Sequence, residues 1–280
     1  IHQNPVKAGL RKNLSEYKAL YRKWRPVKFE DVVGQSHIVD SLKNSIMTNR
    51  VGHAYLFCGT RGTGKTSTAK IFARALNCEN PQDGNPCNEC PTCKGIIDGS
   101  ILDVYEIDAA SNNGVDDVRE IIQQAKTKSI NSEYKIFIID ECHALSNSAW
   151  QAMLKIIEEP PAKSIFIFCT TDPQKIPKTI LSRVQRYDFQ RISLEGVCRR
   201  LELVYQAETV ENDWKPDVDY KESMEYIAKL ADGGMRDAIT FLDKCLAYHP
   251  KLTLKHVTEA LGTADYSTMF ELTDCLLGYD

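Results

Sequence analysis

The chain has 280 residues, enough for one large domain or two ordinary ones, and its 42% hydrophobic and 26% charged residues are typical of globular proteins. This composition excludes collagen, coiled-coil and disordered classes. The net charge of −3 provides no overall positive field for nucleic acid. No apolar run approaches the roughly 20 residues that cross a bilayer, and the start has no signal-peptide pattern. We therefore expect a cytoplasmic protein with no membrane partner.

The first segment is basic. Residues 1–28 contain eight Lys or Arg and one Glu. Because the stretch 1–16 has no apolar periodicity, we interpret it as a solvated N-terminal arm, disordered or introduced with the recombinant sequence.

Residues 17–190 alternate strand-like runs with helical patterns. The short apolar runs, which suit parallel strands buried on both faces, are 53–58, 102–107, 136–139 and 165–169. The amphipathic patterns between them are 67–76, 115–126 and 149–158. This alternation predicts an α/β domain with a mostly parallel sheet.

The pattern changes at residue 191. Over 191–262 no strand-like run occurs, and apolar residues recur at spacings of three and four, as in Met224, Ile227 and Ala228. We predict a small all-α domain here, with a turn at 232–234. Residues 263–280 form one more amphipathic pattern, which we interpret as the first helix of a third domain that is cut short.

A phosphate-binding loop is predicted between the first strand and the first helix of the α/β domain. The eight residues from Gly59 to Thr66 fit the pattern of glycine, four residues, then Gly-Lys-Thr. In this pattern backbone N–H groups surround phosphate oxygens, the lysine reaches the β- and γ-phosphates, and the threonine hydroxyl binds Mg²⁺. The predicted nucleotide ligands are Gly59, Thr60, Gly62, Thr63, Gly64, Lys65, Thr66 and Ser67.

Asp140 and Glu141 follow the strand-like run 136–139. Beside a phosphate loop, we predict that Asp140 binds Mg²⁺ and that Glu141 polarises the water that attacks the γ-phosphate. Since Glu141 fills the role of the base, we expect a packing role for His143.

Ten cysteines are many for a reducing compartment, where disulfides are rare. Four of them, Cys78, Cys87, Cys90 and Cys93, lie on turn-forming residues with the spacing Cys-x8-Cys-x2-Cys-x2-Cys. This set, in an insertion spanning 78–93, predicts a closed structural Zn²⁺ site, with an iron–sulfur cluster as the alternative. The other six have apolar or helical contexts and are interpreted as small hydrophobic residues: Cys58, Cys142, Cys169, Cys198, Cys245 and Cys275.

Together with these sites, several further segments resemble the ATPase subunits of bacterial clamp loaders, within the AAA+ family. Their order and spacing are specific in combination: 21–26, 33–35, 106–111, 158–161, 170–177, 180–183 and 234–238. The resemblance extends from about residue 17 to 277. It departs from the family pattern at Val184, where Cys is usual, and at Cys142, where Val is common, and neither change removes a functional group.

The resemblance implies an AAA+ phosphate-loop domain with a helical lid, and it assigns further roles. Thr171 would be the polar sensor of the γ-phosphate, Arg183 the arginine finger on a neighbouring subunit's ATP, and Arg236 the lid residue on the γ-phosphate of its own subunit. The residues that would border the adenine are Arg25, Pro26, Val33 and Gly34.

The resemblance also implies partners and a task. ATP would drive a hetero-pentamer of loader subunits that opens a sliding clamp and loads it onto primer–template DNA, gripped through its phosphates. Two alternatives stay open: a non-hydrolysing structural subunit similar to delta-prime, and another AAA+ motor such as a branch-migration helicase. The intact phosphate loop disfavours the first, and the cysteine insertion disfavours the second.

Overall fold

The structure, a computed structural model, describes residues 18–214 and 220–262. Contacts divide the chain into an α/β unit, Pro26–Arg191, and a helical unit whose described parts are 18–25, 192–214 and 220–262. The predicted N-terminal arm and the predicted helix over 263–280 lie outside the described residues.

One boundary differs from the prediction, because residues 18–25 group with the helical unit rather than with the α/β unit. The Leu20 N–H donates to the Asp243 carboxylate at 3.0 Å, and Leu20 itself is buried. Lys23 Nζ and Trp24 Nε1 both donate to Glu208, at 2.6 and 2.9 Å. These polar and apolar contacts fix the segment to helices that come much later in the chain.

The α/β unit contains a five-stranded sheet in the order β2-β3-β4-β1-β5, and every pairing is parallel. The strands are β1 (Ala54–Cys58), β2 (Val104–Asp108), β3 (Lys135–Asp140), β4 (Ser164–Thr170) and β5 (Gln185–Asp188). Four of them overlap the predicted runs. β5 was not predicted, and β2 begins two residues later than its predicted run.

Helices and short 3-10 turns connect these strands, and α-helices make up the described part of the helical unit. The α-helices in the described residues are α1 (Leu20–Lys23), α2 (Ser36–Met47), α3 (Lys65–Leu76), α4 (Pro91–Asp98), α5 (Val115–Lys126), α6 (Asn147–Glu158), α7 (Lys178–Leu181), α8 (Leu194–Glu211), α9 (Tyr220–Leu230), α10 (Met235–Tyr248) and α11 (Leu254–Leu261). The 3-10 turns are Phe29–Asp31, Cys142–Ala144 and Pro173–Lys175. None of the helices in the described part of the chain combines the length and hydropathy that a bilayer crossing requires.

Two apolar layers cover the sheet, one on each face. On one face α5, α6 and α7 pack over Phe137 and Phe166, with Trp150 fully enclosed. On the other face α2 and α3 pack over Phe57 and Ile138. Because both faces are covered, the central strands β1 and β4 are buried along their whole length.

The helical unit is built from α8 to α11 together with α1, and residues 192–214 and 220–262 contain no strand. Its core is apolar, with Leu201, Met224, Ile227 and Leu242 completely buried. The predicted turn at 232–234 separates α9 from α10, and Asp232 and Gly233 both have positive φ there.

Candidate nucleotide and metal sites

The carboxyl ends of three adjacent strands bring the predicted catalytic residues together. β4 lies between β1 and β3, so the loops that follow these strands leave the same edge of the sheet. Cys58, the last residue of β1, is in register with Thr170, and the Gly59 N–H donates to the Thr170 carbonyl at 3.2 Å. The phosphate loop therefore begins beside the end of β4.

The phosphate loop depends on glycine at three positions. Gly59, Gly62 and Gly64 have φ of 150°, 81° and 101°, conformations that residues with a Cβ rarely adopt. The Thr63 hydroxyl donates to the Thr60 carbonyl at 2.8 Å and closes the loop on itself. α3 then begins at Lys65, so its N-terminal amides lie where phosphate oxygens are expected.

Lys65 is held by its own loop. Its Nζ donates to the carbonyls of Gly59 and Thr60 at 2.8 and 2.9 Å, and only 6% of the residue is exposed. Burial lowers the pKa of the Lys65 ammonium, although the nearby Cys169, Glu141 and Asp140 act in the opposite direction. The cation is thus already positioned inside the loop.

Thr66 and Asp140, the two predicted Mg²⁺ ligands, are in contact. The Thr66 hydroxyl donates to Asp140 Oδ2 at 2.8 Å, while Asp140 Oδ1 accepts the Glu141 N–H at 3.0 Å. A hydroxyl and a carboxylate are the hard oxygen donors that Mg²⁺ prefers, so these residues fit the ion.

Glu141 has a strained backbone and a fixed carboxylate. Its φ of 47° lies in the left-handed region, which is costly for a residue with a Cβ and is concentrated at functional sites. The Thr171 hydroxyl donates to Glu141 Oε2 at 3.1 Å. The structure therefore brings the predicted base and the predicted sensor into direct contact.

His143 belongs to the same network, whereas the sequence predicted a packing role. Its Nδ1 lies 3.1 Å from Thr170 Oγ1 and 3.5 Å from Glu141 Oε2. Thr170 Oγ1 also accepts the Asp172 N–H at 3.0 Å. Thr170, the last residue of β4, is fully buried.

The predicted adenine-binding residues are divided between the two units. Pro26, Val33 and Gly34 belong to the α/β unit, and Arg25 is the last residue of the first segment of the helical unit.

Gln35 was assigned no role from the sequence. Its fully buried amide donates to the Gln190 carbonyl at 2.7 Å and accepts the Gln190 N–H at 3.1 Å. The sequence signal for a buried, hydrogen-bonded side chain was a glutamine inside an apolar pattern.

The two predicted functional arginines lie in different units. In the α/β unit, Arg183 pairs with Glu158 at 2.8 Å and donates to the Thr179 carbonyl at 2.8 Å. In the helical unit, the guanidinium carbon of Arg236 lies 4.9 Å from the centre of the Tyr21 ring, a cation–π distance.

The four clustered cysteines converge as predicted. The Sγ atoms of Cys78, Cys87, Cys90 and Cys93 all lie within 4.8 Å of one another, and Cys87 Sγ is 4.0 Å from Cys93 Sγ. Four thiolates at Zn–S bonds of about 2.3 Å around one tetrahedral ion are about 3.8 Å apart. The spacing therefore fits a single ion.

Backbone N–H groups favour the thiolate form of Cys87, which is the form that binds a cation. The N–H groups of Glu89 and Cys90 donate to Cys87 Sγ, and they lower the pKa of Cys87 to about 6. Burial raises the pKa of Cys93, and a bound cation would have to displace that proton. Of the cysteines predicted as packing residues, Cys58, Cys142, Cys169 and Cys245 are buried and Cys198 is half-buried, while Cys275 lies outside the described residues.

Comparison with known proteins identifies the family. A family model described as DNA polymerase III, delta subunit, matches residues 34–193. The chain is 40% identical over 265 residues to the DNA polymerase III subunit gamma of Buchnera aphidicola, covering 94% of this chain and 72% of that protein. The chain belongs to the DNA polymerase III tau/gamma family. It is also 52% identical over 232 residues to the tau subunit of Bacillus subtilis, covering 83% of this chain and 40% of that protein.

The chain has an AAA+ fold. The RuvB Holliday junction branch migration motor of Thermotoga maritima superposes with a TM-score of 0.63 at 15% identity, over 85% of this chain and 72% of that one. At that identity the likeness concerns the fold alone. The chain spans 40% of the length of the tau subunits of Bacillus subtilis and Salmonella typhimurium.

Proposed function

We propose that this chain is the ATP-hydrolysing subunit of a bacterial clamp loader, acting in the cytoplasm. ATP binding and hydrolysis would open a sliding clamp and load it onto primer–template DNA. One observation carries the proposal: at a single sheet edge, Lys65 lies inside its loop, Thr66 contacts Asp140 and Thr171 contacts Glu141. Membership of the tau/gamma family supports a loader as the assembly in which this site works.

The phosphate loop binds the substrate in this proposal. The Gly59–Lys65 amides and the N-terminus of α3 surround the β- and γ-phosphates, and Lys65 exchanges its carbonyl partners for phosphate oxygens. Bound Mg²⁺ would neutralise developing charge on the phosphates, and Thr66 and Asp140 are the residues that would hold it.

Glu141 acts as the base. It accepts a proton from a water whose oxygen forms the new bond to the γ-phosphorus as the bond to the β-phosphate oxygen breaks, releasing ADP and phosphate. Thr171 holds the carboxylate in place through its hydroxyl.

The remaining predicted residues act on the γ-phosphate or the adenine. In this proposal Arg183 stabilises transition-state charge on the ATP of a neighbouring subunit, and Arg236 acts on the γ-phosphate of its own subunit's ATP. Val33 and Gly34, with Arg25 and Pro26, border the adenine. The assembly is a hetero-pentamer, and its DNA contacts are to phosphates without sequence reading, which agrees with a net charge of −3.

We also propose that the cysteine cluster holds a structural Zn²⁺ that orders the lobe around α4. The common approach of four Sγ atoms to within 4.8 Å supports one tetrahedral ion over a multi-iron cluster. Elemental analysis of the purified protein should find one zinc per chain, and Cys87→Ser should remove it. Cys198→Ser, which changes a half-buried thiol in α8, is the matched control and should keep the zinc. Stoichiometric iron with a visible absorption band would contradict the zinc assignment.

ATP turnover in a mixture with the other loader subunits tests the main proposal, with and without clamp and primed DNA. We expect turnover that clamp and primed DNA stimulate together, and Lys65→Ala should abolish nucleotide binding. Lys70→Ala is the control, since Lys70 lies on the same helix but pairs with Glu106 and should bind ATP normally. A wild-type assembly without turnover would indicate a structural subunit, and stimulation by branched DNA without a clamp would indicate a different motor.

A further inference from the structure

We propose that His143 is a positioning residue that fixes the Glu141 carboxylate through a proton on its Nδ1. The inference rests on the proposed function, because it assigns His143 to the same hydrolytic site. Glu141, whose backbone is left-handed, directly follows β3, and His143 lies in the 3-10 turn directly after Glu141.

A single ring nitrogen faces two oxygens that come from different strands. Nδ1 is 3.1 Å from Thr170 Oγ1, at the end of β4, and 3.5 Å from Glu141 Oε2, after β3. The His143 side chain is 21% exposed, so the imidazole is largely shielded from competing water. His143 therefore links the ends of β3 and β4, which Glu141 and Thr171 directly follow.

The chemistry of the two oxygens favours the tautomer of His143 that carries its proton on Nδ1. An ionised carboxylate can only accept hydrogen bonds, whereas a hydroxyl can donate or accept. A bare Nδ1 would accept a proton from Thr170 but would direct its lone pair toward the carboxylate. A protonated Nδ1 attracts both oxygens, and Thr170 Oγ1 has two lone pairs for Nδ1–H and the Asp172 N–H.

The Glu141 carboxylate needs this second hydrogen bond because its other described side-chain contact approaches from one direction only. The Thr171 hydroxyl reaches Oε2 at 3.1 Å from the loop after β4. With Nδ1–H on the same oxygen, Oε2 is held from two directions and Oε1 is left to accept the proton of the attacking water. A base that loses this orientation binds ATP as before and hydrolyses it more slowly.

Three substitutions separate this role from simple packing. The amide nitrogen of asparagine occupies the place of Nδ1, and that of glutamine occupies the place of Nε2. In the assembled complex with clamp and primed DNA, His143→Ala and His143→Gln should lower kcat about 10- to 100-fold with unchanged ATP affinity. His143→Asn should retain most of the wild-type kcat. Thermal unfolding of each variant checks that it is folded.

The outcomes are distinct from those that test the proposed function. A wild-type assembly without turnover contradicts the proposed function, whereas normal turnover in His143→Ala contradicts this inference alone. Equal impairment of the asparagine and alanine variants also contradicts it. Nitrogen-15 NMR of histidine-labelled full chain, assigned by comparison with His143→Asn, should show a protonated Nδ1. A bare Nδ1 would overturn the proposal even in a protein that does not hydrolyse ATP.

Discussion

At the scale of single residues, Gly59 shows how closely the phosphate loop is fitted to the sheet. A Cβ at this position would lie 2.6 Å from the Phe189 carbonyl oxygen and 2.9 Å from Phe189 Cβ. Gly59→Ala must therefore shift the backbone after β5 or the loop itself. We expect it to lower the free energy of unfolding by roughly 2–4 kcal/mol and to weaken ATP binding.

Gly99→Ala is the matched control for this prediction. Gly99 has φ of +79°, but a Cβ there would meet nothing within 4 Å, so only backbone strain of about 1 kcal/mol is expected. Chemical denaturation gives the stability of both variants, and nucleotide titration gives their affinity. Equal ATP affinity in both would show that the close approach to Phe189 does not hold the loop in shape.

The residues of the site were predictable to different degrees, for physical reasons. Lys65, Asp140 and Glu141 are identifiable because each belongs to a local motif whose chemistry fixes its neighbours in sequence. Gln35 and the His143–Thr170 contact are not, because their partners come from other strands or loops. These contacts form only when the tertiary fold brings segments that are distant in sequence together.

At the scale of secondary structure, burial decided which elements could be predicted. β1, β3 and β4 are apolar runs because helices cover both of their faces. β5 is an edge strand of sequence Gln-Arg-Tyr-Asp, largely exposed, and carries no such signal. β2 begins at Val104 and not, as predicted, at Leu102. Leu102 is 66% exposed, and the buried Asp103 carboxylate accepts the N–H groups of residues 130 and 131.

One buried carboxylate of α8, Glu208, accepts two donors from the segment that contains α1. Glu208 is 1% exposed and accepts both Lys23 Nζ and Trp24 Nε1, and Lys23 is 24% exposed. Glu208→Ala leaves both donors without this acceptor, and we expect a loss of about 2–4 kcal/mol in the free energy of unfolding, since Lys23 keeps partial access to water. Glu211→Ala removes the other Lys23 partner, which is 53% exposed, and should cost less than about 1 kcal/mol. Denaturant unfolding measures both, and equal losses would refute the central role of Glu208.

At the scale of the whole molecule, the residues predicted to be functional belong to two different units. The chain passes from one unit to the other at residues 25–26 and again at 191–192. Arg183 is on the α/β unit with the phosphate loop, and Arg236 is on the helical unit with Tyr21.

Arg183 provides the decisive test of action between subunits. It is 38% exposed and paired with Glu158, a surface ion pair of small energy, so it can be exchanged for a phosphate partner at little cost. We expect Arg183→Ala to leave the ATP affinity and stability of the separate chain unchanged and to lower stimulated turnover in the assembled complex about 1,000-fold or more. Arg186→Ala is the control, because Arg186 is a similarly exposed arginine three residues further on, in β5, and pairs with Asp188. If Arg183→Ala slowed hydrolysis equally in the separate chain, the arginine would act on its own subunit's ATP and the finger assignment would fail.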